Sequence, residues 1–564
     1  MTTTKTTTTR LLLLALILCL KGTVAAQEPW SASSPKHEVR AVWLTTLMGL
    51  DWPRSYDTAT QQQQMQETLD KLKAAGVNTV LFQTRTRAMV LYPSAQEPWD
   101  ACLTGVGGRS PGYDPLQFCI DECHRRGMEC HAWVVTIPIG KWNGFGCQQL
   151  RKLRPQMLKR IGEDAFLDPA NAQTATYLAT VCGDITRRYD VDGIHLDYIR
   201  YPETWPRAKN ASERSQRRAN ITAIVRAINY AIKSEKPWVK LSCSPIGKFD
   251  DLTRYRAGGW NARNAVSQDA QQWLKTGLMD QLYPMLYFQD NNFFPFAIDW
   301  QEQSAGRTVA AGLGIYFLDP REGRWTLSQV QRQMAVSRQV GIGHCYFRSR
   351  FLTDNVKGLY DWVCQFDATP ALVPPMTWAG QMPPTPPASL SIEQGRLCWE
   401  EGTDRSGGPY LLYNIYASHD FPVDVTRAEN LVATRLTQTS AVVPTHLALS
   451  QTMNYAVTAM NRFGQESEPT QLLLNAGPRY FAPIIARTDG RPIALPTKPS
   501  TLDATLLSVE TFQGVPVAWY PYEGKWLSVD GLPDGIYQLR AVGRRKSSHR
   551  IGFFTIKRKT TISN

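Results

Sequence analysis

The side chains best suited to chemistry follow one short apolar run in the middle of the chain. Residues 191–202 read Val-Asp-Gly-Ile-His-Leu-Asp-Tyr-Ile-Arg-Tyr-Pro. The run predicts a buried strand that ends at the carboxyl group of Asp197, followed by Tyr198 and Arg200. A carboxyl group in an apolar pocket has a raised pKa and can donate a proton to a leaving group. The alternative is a structural ion pair between Asp197 and Arg200 or Arg85.

Acid–base cleavage of a glycosidic bond requires a second carboxyl group. The candidates that follow other apolar runs are Asp319, Asp290, Asp51 and Glu203. We take Asp319 and Asp290, together with Asp197, as the catalytic candidates. Asp319 stands before a proline and could instead cap a loop, and Asp51 could belong to a plain turn.

Other predicted strand ends carry aromatic, amide, imidazole and guanidinium groups. Aromatic faces stack on the apolar faces of sugar rings, while polar side chains bond to hydroxyl groups. The predicted substrate-binding residues are Gln83, Arg85, His131, Trp133, His195, Tyr198, Arg200 and Tyr287. For each there is a structural alternative: a satisfied core histidine, aromatic core packing or an ion pair between strands.

The chain lacks the usual motifs for other chemistries. There is no serine nucleophile elbow, no His-x-His pair and no zinc-type spacing of Cys and His, so we expect neither a metal nor a cofactor. Cys119 and Cys123 lie four residues apart on a predicted helix, and most cysteines are interpreted as buried free thiols. Cys102 and Cys147 could bridge two loops.

The elements that must position these residues alternate regularly from residue 39 to residue 366. Eight short apolar strands alternate with eight amphipathic or capped helices, which indicates parallel strands joined by crossover helices. Eight such units favour a closed (β/α)8 barrel over residues 37–368. No Gly-x-Gly-x-x-Gly follows the first strand, which disfavours a dinucleotide-binding fold. Active sites of such barrels lie at the C-terminal ends of the strands.

The pattern changes after residue 368. Residues 369–388 hold seven prolines and predict a stiff, extended linker. Residues 389–475 alternate polar and apolar with turns between, which predicts a small β-sandwich, and Tyr455–Gly464 resembles the last strands of a fibronectin type III domain. Residues 478–564 predict a second, β-sandwich-like module.

The N-terminal residues indicate where the protein is located, and the charge distribution indicates which partners it could bind. Residues 1–26 combine two early basic residues, an apolar run and a small-residue cleavage site, which predicts a signal peptide and an exported protein. The residue before Cys19 is leucine, so a lipid anchor is disfavoured. The net charge is +13, and residues 478–564 hold thirteen basic and six acidic residues. This module could contact an anionic envelope polymer, or be a solvated basic face. Neither nucleic-acid binding nor a membrane span is expected, and the oligomeric state is open.

Several motifs together resemble the glycosyl hydrolase-like 10 family. They are His131-Ala132-Trp133, the segment 193–202, Tyr283-Pro284-Met285-Leu286-Tyr287, Leu91-Tyr92-Pro93-Ser94 and Tyr113-Asp114-Pro115-Leu116, and the likeness covers roughly residues 37–370. The resemblance implies a (β/α)8 barrel and hydrolysis of a glycan, which in some relatives is cell-envelope glycan such as peptidoglycan strands. The overall form is similar to exported members from Bacteroidota.

The chain departs from the family pattern at two places. Tyr198 stands where many members have a second acid, and Met89 stands where many have an aspartate. Asp197 is therefore the one acid that the resemblance carries over. The resulting hypothesis is an exported glycoside hydrolase; the alternative is a carbohydrate-binding envelope protein that keeps the cleft without catalysis.

Overall fold

A computed structural model describes most of the chain: residues 33–258, 260–442, 453–472, 484–495, 498, 504–511, 515–523, 525–543 and 548–558. The predicted signal peptide lies outside the described residues. None of the helices in the described part of the chain combines the length and apolarity needed to cross a bilayer. The described residues form two compact units, the first of which holds the barrel together with residues 425–442 and 456–470.

Eight parallel strands form a closed barrel, which confirms the predicted (β/α)8 fold. They are β1 (Arg40–Leu44), β2 (Thr79–Thr86), β3 (Glu129–Val135), β4 (Gly193–Asp197), β5 (Lys240–Cys243), β6 (Gln281–Leu282), β7 (Thr308–Leu313) and β8 (Gly343–Phe347). Each strand pairs with the next, and β1 closes the ring by pairing with both β2 and β8.

Helices surround the barrel and join its strands. They are Thr58–Ala74, Pro115–Arg125, Phe145–Leu153, Ala172–Arg188, Ala211–Glu235, Ala262–Ala265, Ala270–Lys275, Phe294–Glu302, Leu327–Gln339, Ser349–Thr353 and Leu359–Phe366. Capping side chains define several starts: Asp114 accepts hydrogen bonds from the amides of Leu116 and Gln117, and Asn171 accepts one from the amide of Gln173. Each barrel strand after the first begins within a few residues of the start that the sequence pattern predicts.

The barrel strands are buried on both faces, because helices cover the outside and side chains fill the inside. Along β3, His131, Trp133 and Val135 point inward, while Cys130, Ala132 and Val134 pack against the helices. The loop after β3 adds a three-stranded sheet of Pro138–Lys141, Leu158–Ile161 and Asp164–Leu167. This sheet forms one wall at the C-terminal end of the barrel.

The proline-rich segment lies against the barrel instead of spanning open solvent. Leu372 forms a parallel bridge with His37, and the side-chain amide of Asn78 donates to the carbonyl of Ala371 at 3.0 Å. Leu372 and Met376 are buried. The first part of the predicted linker is therefore packed on the N-terminal side of the barrel.

The remaining strands form antiparallel sheets. A three-stranded sheet holds β9 (Ala388–Glu393), β10 (Arg396–Glu400) and β13 (Ser440–Val442), and a four-stranded sheet holds β11 (Leu412–Ser418), β12 (Leu431–Leu436), β14 (Asn454–Met460) and β15 (Thr470–Leu472).

The second unit is built mainly from the described residues after 470. Its five-stranded sheet holds β16 (Ile484–Thr488), β18 (Ala504–Thr511), β19 (Pro516–Pro521), β21 (Gly535–Gly543) and β22 (Ser548–Ile556), and β17 (Ile493–Ala494) pairs with β20 (Trp526–Leu527). Only β16 and β22 pair in parallel among these strands. Leu507, Val509, Leu539 and Phe554 form the centre of its core.

Two arginines of the first unit clamp the N-terminal end of the barrel. Arg435 donates to Glu129 at 3.0 Å and to Asp192 at 2.5 Å, and Arg462 donates to Asp192 at 3.2 Å. Lys240 completes the pairing of Glu129 at 2.8 Å. Burial alone would raise the pKa of Glu129, but the two cations lower it to about 2. Both carboxyl groups, Glu129 and Asp192, are thus paired with cations.

Candidate active site

A cavity of about 720 Å³ opens at the C-terminal end of the barrel. This is the end at which barrels of this type carry their active sites. The lining side chains that could contact a ligand are Gln83, Trp133, Asp164, Phe166, Asp197, Tyr198, Glu203, Tyr287, Tyr316, Glu322, Phe347, Arg348 and Phe351. The mixture of aromatic rings with a few carboxyl groups suits a sugar polymer better than an apolar ligand.

Asp197 forms part of the cavity wall and is held by neutral donors. Its Oδ1 accepts hydrogen bonds from the hydroxyl of Ser244 and the amide of Tyr198, both at 2.8 Å, and its Oδ2 accepts one from the indole of Trp133 at 3.3 Å. Burial raises the pKa of Asp197, although the nearby charge of Arg200 and these hydrogen bonds act in the opposite direction. The group is suited to holding a proton.

The strand pattern explains why Asp197 faces the cavity. Side chains alternate along β4, so Gly193, His195 and Asp197 point inward and Ile194 and Leu196 point to the helices. Gly193 has no side chain at the place where a Cβ would lie 2.5 Å from Nδ1 of His131. The missing side chain therefore leaves room for the imidazole of His131 beside β4.

A layer of buried polar groups lies directly beneath the cavity floor. The indole of Trp43 donates to Nε2 of His195 at 3.1 Å, so Nδ1 carries the proton and donates to Ser242 at 3.0 Å. Burial lowers the pKa of His195 well below its ordinary value. His195 is therefore neutral and supports the floor instead of facing the cavity.

Aromatic rings form the opposite wall. Tyr287 stacks on Phe347 with ring centroids 5.3 Å apart, and Tyr316 packs edge-on against Tyr287 at 5.9 Å. The hydroxyl of Tyr287 is buried and has no hydrogen-bond partner among the described residues. A buried donor without a partner is costly unless a ligand or water satisfies it, so this hydroxyl is available for recognition.

Three further carboxyl groups line the cavity. Glu203 forms an ion pair with Arg200, whose guanidinium also lies 4.3 Å from the centroid of the Tyr198 ring. Asp164 pairs with Lys141 at 3.0 Å, and Glu322 is exposed. The side chain of Glu203 is 24% exposed and that of Asp164 is 42% exposed.

Comparison with known proteins assigns the chain to a family. The model of the family described as glycosyl hydrolase-like 10 matches residues 38–317. Glycosyl hydrolase DigH of Escherichia coli is 31% identical over 322 residues, which cover 49% of this chain and 73% of DigH. The chain belongs to the glycosyl hydrolase-like 10 family.

The chain is also similar to a second curated relative and to a solved structure. Glycosyl hydrolase YngK of Bacillus subtilis is 27% identical over 419 residues, which cover 68% of this chain and 82% of YngK. Among solved structures, an α-L-fucosidase from Paenibacillus thiaminolyticus aligns with 16% identity and a TM-score of 0.40, over 59% of this chain and 49% of the fucosidase.

The family barrel brings five of the predicted site residues together. Gln83, Trp133, Asp197, Tyr198 and Tyr287 all line the cavity. The side-chain oxygen of Gln83 already accepts hydrogen bonds from the backbone amides at residues 46 and 47. Its role at the cavity is therefore chiefly to shape the wall.

The other predicted binding residues lie away from the lining. Arg85 is fully buried and bonds to Glu97 and to two backbone carbonyls. His131 bonds to Glu129 at 3.0 Å. Neither His131 nor His195 lines the cavity. Arg200 is 3% exposed and acts at the cavity only through Glu203 and Tyr198.

Two predicted catalytic candidates are placed outside the cavity. Asp319 accepts two hydrogen bonds from the guanidinium of Arg321 and one from its backbone amide, and these contacts lower the pKa of Asp319 to about 2. Asp290 has a side chain 68% exposed and lies 3.5 Å from Arg332. Asp51, a further sequence candidate, is bound by Arg348 and Ser349.

Some lining residues were not among the sequence-based candidates. Phe347 and Tyr316 build the aromatic wall, and Asp164 comes from the inserted sheet after β3. The alternation of β8 could have placed Phe347 inward with Cys345. No local pattern could have brought Asp164 to the barrel, because its position depends on how the inserted sheet folds back.

Proposed function

We propose that this chain is a glycoside hydrolase that cleaves O-glycosidic bonds of a polysaccharide, with Asp197 as general acid. The observation that carries the proposal is a buried carboxyl group of raised pKa, held by neutral donors, in the wall of an open cavity. A raised pKa extends the pH range over which the carboxyl group holds the proton that a leaving oxygen requires.

Glu203 is the second carboxyl group in this proposal. It is the one sequence candidate besides Asp197 that lines the cavity, and it follows β4 by a short loop. Its ion pair with Arg200 holds the carboxyl group beside the cavity. In this proposal Glu203 acts on water or on the anomeric carbon while Asp197 protonates the leaving oxygen.

The substrate class follows from the cavity wall. Ring faces and edges for sugar rings come from Trp133, Tyr287, Tyr316 and Phe347. The hydroxyl of Tyr287 adds a donor that has no partner within the described ranges. We propose a cell-envelope glycan, such as peptidoglycan strands, encountered after export. The predicted signal peptide and the resemblance to envelope-associated relatives support this choice.

A carbohydrate-binding protein without catalysis is the second candidate. It is favoured by the pairing of the lining acids, since Glu203 is bound to Arg200 and Asp164 to Lys141. A paired carboxylate is less available as a nucleophile. In this case the cavity would hold a glycan without cleaving it.

The deciding experiment measures reducing ends released from a panel of glycans that includes peptidoglycan strands stripped of peptides. Asp197→Asn should abolish release from natural glycans but retain activity on an aryl glycoside, because a phenolate departs without a proton. Glu203→Gln should lose activity on both substrates. Asp70→Asn, on an exposed helix face, is the matched control.

The outcomes separate the candidates. Release that survives Asp197→Asn on every substrate would remove Asp197 from the mechanism. Equal loss on natural and aryl substrates in Asp197→Asn would exclude the acid role. Binding of a glycan without release by the native protein would favour the binding protein.

A further inference from the structure

Three cysteine sulfurs meet on the outer side of the barrel, away from the cavity. Cys119 and Cys123 lie one helical turn apart on the helix Pro115–Arg125, and Cys130 lies on β3, facing that helix. All three Sγ atoms lie within 4.8 Å of one another, and those of Cys119 and Cys130 are 3.9 Å apart. Each of the three residues is fully buried.

The cluster results from two periodicities that no metal motif reveals. Positions four apart share one helix face, and the alternation of β3 turns Cys130 outward between the inward Glu129 and His131. The spacing Cys-x3-Cys-x6-Cys differs from the paired Cys-x-x-Cys of zinc sites. The helix and the strand must pack before the three sulfurs form one group.

The dimensions of the cluster match one small ion bound by three sulfurs. A metal in the plane of three sulfurs at about 2.3 Å places those sulfurs about 4.0 Å apart. An all-sulfur set selects soft ions such as Cu(I) over hard ones. Among the described residues no fourth His, Cys, Asp or Glu completes the group, whereas structural zinc is almost always four-coordinate. We propose that Cys119, Cys123 and Cys130 form a three-sulfur site for Cu(I).

Binding of Cu(I) couples to the release of protons, because the thiolate is the metal-binding form of cysteine. Each of the three thiols that binds as thiolate releases its proton to solvent.

The test is an anaerobic titration of the mature, full-length protein with Cu(I) against a chromophoric Cu(I) chelator. We expect one Cu(I) per chain, sulfur-only coordination by X-ray absorption and a raised melting temperature, since a ligand that binds only the folded state stabilises it. Cys130→Ser should weaken binding by at least ~100-fold, because loss of supporting groups alone costs about 10- to 100-fold. Cys364→Ser, a half-buried thiol elsewhere, should bind as the native protein does.

Four results would overturn the site. They are no binding by the native protein, binding unchanged in Cys130→Ser, equal loss in Cys364→Ser, and a disulfide between two of the three cysteines in peptide maps of the purified protein. Stoichiometric binding of Zn²⁺ in preference to Cu(I) would overturn the choice of metal. If Cys130→Ser does not fold, native mass spectrometry of Cys119→Ala and Cys123→Ala gives the same comparison.

Discussion

Two aspartates, one before β4 and one at its end, have similar burial and opposite chemistry. Asp192 is 4% exposed and Asp197 is 8% exposed. Asp192 binds Arg435, Arg462 and His124, and although burial opposes ionisation, these cations hold its pKa well below the ordinary value. In the described part of the chain Asp197 accepts hydrogen bonds only from neutral donors, and burial raises its pKa.

The difference lies in the partners and not in the strand. The N-terminal end of the barrel is covered by residues of the first unit that supply two arginines, so Asp192 contributes to the fold as one side of a buried ion-pair network. The C-terminal end remains open, and no cation forms a salt bridge with Asp197 among the described contacts. An unpaired carboxyl group beside an open cavity is the one available for proton transfer.

The largest expected effect is loss of hydrolysis at the open end. Asp197→Asn keeps the shape of the side chain and removes the proton donor, so kcat on a natural glycan should fall by about 10²- to 10⁴-fold. Asp192→Asn, measured at a temperature where it is folded, should keep the native kcat. A similar fall of kcat in both variants would contradict the assignment of Asp197 to catalysis and of Asp192 to folding.

The next largest expected effect is loss of stability at the N-terminal end of the barrel. Asp192→Asn leaves Arg435 and Arg462 partly uncompensated in a buried place, which should lower the free energy of unfolding by about 3–5 kcal/mol. Denaturant unfolding monitored by tryptophan fluorescence measures this change. Glu429→Gln, in an exposed pair with Arg427, should cost no more than about 1 kcal/mol. Equal costs for the two variants would contradict the role of the network.

The pH dependence of stability should have opposite signs at the two ends. The folded-state pKa of Asp197 is raised, so its stabilising contribution is present below the unfolded pKa of about 3.9 and is lost as pH rises through the folded pKa. The folded-state pKa of Asp192 is lowered, so its contribution is present above about 3.9 and is lost as pH falls.

Unfolding free energies of the native protein and both variants across the acidic range measure these contributions. Relative to the native protein, Asp197→Asn should gain stability as pH rises and Asp192→Asn should gain stability as pH falls. Hydrolysis should also decline as pH rises through the pKa of Asp197, since the general acid then loses its proton. Parallel pH profiles in the two variants would contradict the assigned shifts.

The sequence predicts the residues at the C-terminal end of the barrel better than the ion pairs at its N-terminal end, for a physical reason. Parallel strands bring their C-terminal ends to one rim, so Trp133, Asp197 and Tyr287 could be grouped from strand positions alone. Strand alternation gives the face of a side chain but not its depth, and His195, one inward step before Asp197, lies beneath the floor. The partners of Asp192 lie at positions 435 and 462, and only the folded chain brings them together.

The smallest expected effects distinguish two tyrosines whose hydroxyls face different surroundings. Tyr287→Phe keeps the stacking on Phe347 and removes a hydroxyl that has no partner among the described residues. Stability should therefore stay level or rise by about 1 kcal/mol, while glycan affinity falls about tenfold. Tyr346→Phe removes a hydrogen bond to Asp367 outside the cavity, so stability should fall by about 1 kcal/mol with affinity unchanged. Isothermal titration with a glycan fragment and denaturant unfolding measure both variants. A stability loss in Tyr287→Phe would mean that its hydroxyl already has a partner, which would weaken its assignment to substrate recognition.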